Sequence, residues 1–243
     1  MATLYLIPCP LVPSDYSETA AAALAASIPA TVVPLASRLK HWVVESEKES
    51  RRYLKALNRE IDINALQMTL LNEHSVVRDA RKWLQPALEG HDMGLMSDAG
   101  CPAVADPGAL VVAEAHRLGI QVVPVTGPSS ILLTLMGSGF NGQKFAFQGY
   151  LPVDKAARKK ALLDLESESR QRHLTQLFIE APYRNNQMLE TAIQSLHPNT
   201  RLCIGVELTG PGEQLISQPI GQWRKSTPPN IHKRPTVFAL YAG

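Results

Sequence analysis

Short apolar runs, several of them closed by glycine, proline or serine, recur along this chain and alternate with stretches whose apolar residues fall at helical spacing. Leu4–Ile7, His41–Val44, Met68–Leu71, Met93–Met96 and Gln121–Val125 read as buried strands. Thr31–Leu35 reads as an edge strand, because Pro34 cannot donate to a ladder. Helical patterns cover Ser14–Ser27, Lys48–Asn58, Val76–Leu88 and Ala109–Leu118, and an apolar helix is expected over Ile131–Met136. Strand–helix alternation over residues 1–136 predicts a parallel sheet covered on both faces. The pattern then changes. Gly137–Gly142 is a glycine-rich break and a candidate junction. Phe145–Tyr150 alternates with period two, Asp154 opens a helix, and Leu177–Glu180 is a buried strand leading to a helix over Asn185–Leu196. Leu202–Glu207 reads as a central strand, and Glu213–Ser217 and Thr236–Leu240 as antiparallel partners. The fold class is α/β: two α/β domains, 1–127 with a mostly parallel sheet and helices on both faces, and 128–243 with a mixed sheet and few helices.

The longest strand-to-helix connection is Ser97-Asp98-Ala99-Gly100-Cys101-Pro102-Ala103-Val104-Ala105-Asp106-Pro107-Gly108. Such loops usually take about 2–6 residues, and longer ones more often carry function. In α/β proteins ligands sit at the carboxyl ends of strands, where this loop lies. Its small residues let a ligand approach the backbone. Asp106 is placed to cap the following helix, Pro107 suits its first position and Gly119 its end. Two further strand-end turns share this character: the proline-rich Pro8-Cys9-Pro10-Leu11, and Thr126-Gly127-Pro128-Ser129-Ser130, which opens a helix whose free N–H groups suit an anion. Glu45, Glu180 and Glu207 end other strands.

Composition narrows the function classes. The chain has 243 residues, and 24 Lys+Arg against 22 Asp+Glu leave a net charge of +2. That excludes a strongly cationic nucleic-acid coat but allows local basic patches, at Lys155–Lys160 and over residues 224–234. The 3 cysteines, Cys9, Cys101 and Cys203, are odd in number and far apart, which argues against a disulfide framework and fits a reducing, cytoplasmic setting. No secretory leader or membrane-spanning run is expected. The dinucleotide, P-loop, zincin and nucleophile-elbow fingerprints are absent, and the 7 His are scattered, so no metal is expected. What remains is a set of neutral loops suited to holding a cofactor through backbone contacts and leaving the chemistry to it. Methyl transfer from a sulfonium donor fits, since the protein need only align the acceptor, with a base added for a poor nucleophile.

At these loops the sequence resembles the tetrapyrrole methylase superfamily, the class III S-adenosylmethionine-dependent methyltransferases. Within it the chain is most similar to the ribosomal RNA small subunit methyltransferase I branch. The resemblance rests on Ser97–Pro102 with Ala105–Gly108 (the branch's SDAGTP and SDPG), Val123–Ser130 (VPVPGPSA), Phe147–Pro152, Glu180-Ala181-Pro182-Tyr183-Arg184 and Glu207-Leu208-Thr209, in order and at matching spacing. It implies two α/β domains with S-adenosylmethionine in a cleft between them, a homodimer, and ribose 2′-O-methylation of 16S rRNA. It places Pro8, Asp98, Gly100, Cys101, Pro102, Ala103, Val104, Ser129, Ser130, Glu180, Pro235 and Thr236 at the cofactor. Glu45, Glu180 and Arg184 become candidates for orienting or deprotonating a ribose hydroxyl. The first loop departs from the branch's TPIGNL, reading Ile7-Pro8-Cys9-Pro10-Leu11 without the glycine and asparagine, and Val44–Lys48 keeps only Glu45 of its AEDTR. Two other readings fit the same loops: methylation of a tetrapyrrole or other small metabolite, and a cofactor-binding protein without methylation activity.

Overall fold

A computed structural model describes residues 2–12, 24–71 and 80–243. The chain forms two compact units, Met1–Ser129 and Ser130–Gly243.

In the first unit five strands, β1 (Thr3–Leu6), β2 (His41–Val44), β3 (Gln67–Leu70), β4 (Met93–Met96) and β5 (Gln121–Pro124), lie in the order β3-β2-β4-β1-β5. Every pairing is parallel. Period-two alternation sends neighbouring side chains to opposite faces. Leu4, Leu6, Val43, Met93 and Leu95 pack on one face against Trp83, Leu84, Val111 and Ala115. Ile7, Trp42, Val44 and Met96 pack on the other against Val32, Ala36, Tyr53 and Leu54. A parallel sheet needs such cover on both faces, which is why its strands read as continuous apolar runs.

The cover comes from α1 (Val32–Arg38), α2 (Glu47–Leu57) and α3 (Gly108–Arg117), with short helical turns at Ala80–Trp83 and Gln85–Leu88. Ser46 caps α2, its hydroxyl accepting from the Glu49 amide. Full burial of Leu54 alone stabilises the packing by about 1.5–3 kcal/mol. The expected edge strand at Thr31–Leu35 is instead the start of α1. Pro34 is its third residue, within the first turn, where a missing N–H has no intrahelical partner to lose. Most of the helix expected over Ser14–Ser27 lies outside the described residues, of which 24–27 are helical. Residues 76–79 of the helix expected over Val76–Leu88 also lie outside them.

The second unit carries β6 (Phe145–Tyr150), β7 (Thr175–Ile179), β8 (Arg201–Val206), β9 (Gln214–Pro219) and β10 (Thr236–Tyr241), in the order β6-β7-β10-β8-β9. Only β6 and β7 are parallel, so the sheet is mixed. The expected pairing of Glu213–Ser217 with Thr236–Leu240 does not occur. Both segments run antiparallel to β8, which lies between them. Helices α4 (Ser130–Ser138), α5 (Lys155–Arg172) and α6 (Asn185–Ser195) cover the sheet. They span 9, 18 and 11 residues and lie where helices were expected, at Ile131–Met136, after Asp154 and over Asn185–Leu196. The glycine-rich stretch is no junction: Gly137 and Ser138 form the last turn of α4, with Gly137 seated against the Leu215 side chain.

No helix among the described residues is long and apolar enough to cross a membrane.

Candidate functional site

Because β1, β2, β4 and β5 are parallel, the segments that follow them emerge at one edge of the first unit. There the loops are bound to each other. Cys9 and Gly100 exchange both backbone hydrogen bonds, the Cys9 amide donating to the Gly100 carbonyl at 2.9 Å and the Gly100 amide to the Cys9 carbonyl at 3.1 Å. The Tyr53 hydroxyl, buried on α2, donates to the Pro8 carbonyl at 2.7 Å. The Cys101 thiol donates to the Pro128 carbonyl at 3.4 Å. Gly127 lies so close to Pro8 that a Cβ built on it would stand 2.0 Å from the Pro8 Cβ. Glu45, just past β2, accepts the Asp98 amide on Oε2 at 2.9 Å. Pro8, Glu45, Asp98, Gly100 and Cys101 are thus brought together, with Pro102, Ala103 and Val104 following in the same loop.

That loop holds unusual backbone. Gly100 (φ +73°), Ala103 (φ +67°) and Ala105 (φ +61°) occupy the left-handed region. For the two alanines this costs roughly 1–2 kcal/mol each. Asp106 offsets part of it: its Oδ1 accepts the amide of Gly108, the first residue of α3, at 2.6 Å. Pro107 is the N-cap of α3 rather than its first helical residue, one position earlier than expected, because Asp106 bonds the chain from outside the helix. Beside the loop opens a cavity of about 250 Å³, lined by residues including Cys9, Glu49, Ser50, Arg52, Tyr53 and Asp98.

Burial governs the titration of this edge. It pushes the Glu45 carboxyl up, assisted by the charges of Asp106 and Asp98 and opposed by the Asp98 amide. It also raises Asp98, with Glu49 adding to the shift, and Asp106, against its hydrogen bond from Gly108. The Cys9 and Cys101 thiols move up for the same reason, so neither is an activated nucleophile.

A carboxyl whose pKa is higher folded than unfolded binds its proton more tightly in the native state. Stability is therefore lost as pH rises from the ordinary carboxylate range through the raised value. Asp106→Asn keeps an oxygen for the Gly108 amide and removes the charge. The variant is expected to lose less melting temperature than the wild type between about pH 4 and about pH 7. Thermal unfolding at the two pH values checks this, and equal losses contradict it.

The remaining candidates lie in the second unit. Glu180 follows β7 and is 3% exposed. Its Oε1 accepts the Ala181 amide at 2.7 Å and the Arg184 guanidinium at 3.0 Å from Nε and 2.6 Å from Nη2. Its other oxygen is buried with no hydrogen-bond partner among the described residues. Thr236 donates its hydroxyl to the Arg234 carbonyl at 2.9 Å, and the Pro235 carbonyl accepts the Glu207 amide at 2.8 Å. Ser130 begins α4, and Ser129 is the last residue of the first unit. Among the described residues there is no cluster of three or more metal-ligating side chains.

Two of these contacts were not predicted from sequence. Tyr53 sits beside Leu54 in an apolar stripe and looks like core. Gly127 was legible only as part of a turn, and its contact with Pro8 joins segments far apart in the chain. The basic segments also differ from expectation. Arg158 is buried, bonded to the Thr191 hydroxyl and the Val153 carbonyl, and Arg224 donates to the Ile193 and Leu196 carbonyls. Those two cations serve the fold.

No family model matches the chain. Among curated proteins it is similar to the ribosomal RNA small subunit methyltransferase I of Vibrio cholerae, 32% identical over 63% of this chain and 51% of that one. It is similar also to that of Escherichia coli O157:H7, 31% identical over 72% of this chain and 59% of the other. The protein of the same name from Pseudomonas aeruginosa is 29% identical over 79% and 66%. The chain thus spans about half to two thirds of these relatives' length. Among solved structures, diphthine synthase aligns over 99% of this chain and 90% of its own with a TM-score of 0.67 at 13% identity. The methyltransferase CobJ aligns over 100% and 98%, with a TM-score of 0.56 at 17% identity. Those two likenesses speak for the fold alone. By sequence the chain is similar to the ribosomal RNA small subunit methyltransferase I proteins over part of their length.

Proposed function

We propose that this chain is an S-adenosylmethionine-dependent methyltransferase that methylates a ribose 2′-hydroxyl of 16S rRNA. The observation that carries this reading is the convergence of Pro8, Glu45, Asp98 and Gly100 at one sheet edge, in a chain similar to these methyltransferases. The residues suit the cofactor. The loop Ser97–Gly108 contains no Lys or Arg, while Asp98, Asp106 and Glu45 set negative charge at the same edge, so a sulfonium cation meets attraction rather than repulsion. The left-handed turn at Gly100 and the small residues around it leave main-chain groups for a nucleoside to bond. Pro8, Asp98 and Gly100–Val104 would hold the cofactor from this unit with Ser129. Ser130, Glu180, Pro235 and Thr236 are assigned to it by motif position.

Bound S-adenosylmethionine supplies an activated methyl carbon. The chain's own residues align the acceptor and take its proton. Glu45 is the base in this account: it is half-buried, its raised pKa brings it toward the working pH, and one oxygen is anchored on the Asp98 amide. Glu180, committed to Arg184, orients that guanidinium rather than accepting a proton. The relatives' name supports ribosomal RNA as acceptor, a cytoplasmic location follows from that substrate, and a homodimer is part of the same reading.

The test is a map of ribose methylation on 16S rRNA from a strain lacking the gene, with and without the wild-type chain restored. One methyl that disappears and returns supports the reading. An unchanged map overturns the rRNA assignment, and small-metabolite methylation then becomes the reading to pursue.

A further inference from the structure

The second unit carries two exposed tyrosine rings that the methyl-transfer account gives no role, beside the Arg184 guanidinium. Between Phe147 and Tyr150, strand β6 shifts register against β7 by one residue. The bulge carries Gly149 at φ +66° and brings Tyr150 level with Ile179, the residue before Glu180. Bulges of this kind re-aim side chains. Tyr150 is 63% exposed and Tyr183 57%, unusual for rings of this size beside a buried strand end. The Arg184 guanidinium lies over the Tyr183 ring, 4.8 Å from its centroid, and is fixed from beneath by Glu180. The Arg184 Nη1 also donates to the Tyr183 hydroxyl at 2.5 Å.

One basic segment meets this turn. The Lys233 amide donates to the Pro182 carbonyl at 2.8 Å, and Asn185 holds the Arg234 carbonyl through Nδ2 at 2.6 Å. The loop carrying His232 and Lys233 is therefore pinned against the turn that presents Tyr183. Helix α5 starts five residues after Tyr150, with Lys155 and Lys159 exposed. The acids nearby are engaged: Glu180 by Arg184, Glu207 by Arg234, and Asp154 as the cap of α5.

An aromatic ring against a held guanidinium, a second exposed ring at the end of the adjoining strand and exposed lysines on the neighbouring segments match the chemistry of unpaired nucleotides. Bases stack on the rings and the guanidinium plane, and the lysines meet the phosphates. Duplex RNA keeps its bases stacked on each other and offers such a surface only its backbone. We propose that Tyr150, Tyr183 and Arg184 form a stacking platform for unpaired RNA bases. This rests on the RNA reading above but concerns the second unit alone.

The experiment measures fluorescence anisotropy of a short unstructured RNA and of a duplex of equal length at fixed salt. It compares the wild type, a Tyr150→Ala/Tyr183→Ala double variant, and a Tyr150→Phe/Tyr183→Phe double variant. The wild type is expected to prefer the single strand. The alanine variant should lose about tenfold or more in affinity for it, and the phenylalanine variant, which keeps both rings, should stay within about threefold. Titration with S-adenosylmethionine should give the same affinity in all three. Single-strand binding by the alanine variant within about twofold of wild type overturns the proposal. So does an equal loss in the phenylalanine variant, or a wild type that binds no single strand. If cofactor binding is intact while any of these occurs, the platform fails and the methyltransferase reading stands. A wild type that stacks RNA but binds no cofactor supports the platform and overturns the methyltransferase reading.

Discussion

Gly127→Ala is expected to lower the affinity for S-adenosylmethionine by about ten- to a hundredfold and to destabilise the first unit by about 1–3 kcal/mol. The added Cβ would stand 2.0 Å from the Pro8 Cβ and 2.5 Å from its Cγ. A proline ring is closed onto its own backbone and has no rotamer that swings it away. One of the two segments must retreat. Pro8 is held by the Tyr53 hydroxyl, and Cys9 by two hydrogen bonds to Gly100, so retreat carries the Ser97–Gly108 loop with it. Calorimetric titration with the cofactor, with urea unfolding to confirm a folded variant, checks the expectation. An affinity within about twofold of wild type at unchanged stability would show that the contact does not shape the site.

Glu45→Gln is expected to slow methyl transfer to RNA by about 100-fold or more while weakening the cofactor far less, since Asp98 and Asp106 keep their charges. The amide oxygen of glutamine can still accept the Asp98 N–H, so the loop stays in place while proton acceptance and one negative charge are lost. The pH profile separates this from a structural effect. Burial raises the Glu45 pKa, and the base works only when ionised. In the wild type the rate should therefore rise with pH through a value above the ordinary carboxylate range. The variant should lack that limb. A variant rate within about threefold of wild type, with the limb intact, removes Glu45 as the base.

Much of the architecture was legible in the chain. Strands such as Met93–Met96 are closed by sharp breakers, and parallel pairing follows when helices separate them. Thr31–Leu35 misled because Val32 and Val33 favour strands and Pro34 forbids a central one, while the first turn of a helix tolerates all three. The order of β8, β9 and β10 depends on long-range pairing, which local pattern does not encode. The same limit hid the burial of Arg158, whose partner Thr191 comes from a different helix. At the site the loops were legible from their small residues and motif order. What holds them was not: Tyr53 reads as core until its hydroxyl is seen on Pro8.

The central claim is that the loops following β1, β4 and β5 bind a sulfonium nucleoside. Calorimetric titration of the wild-type chain with S-adenosylmethionine, and with its demethylated product, addresses it directly. Saturable binding of both is expected, one molecule per chain, weakened in Gly127→Ala. No binding of either ligand by the folded wild-type chain would contradict it.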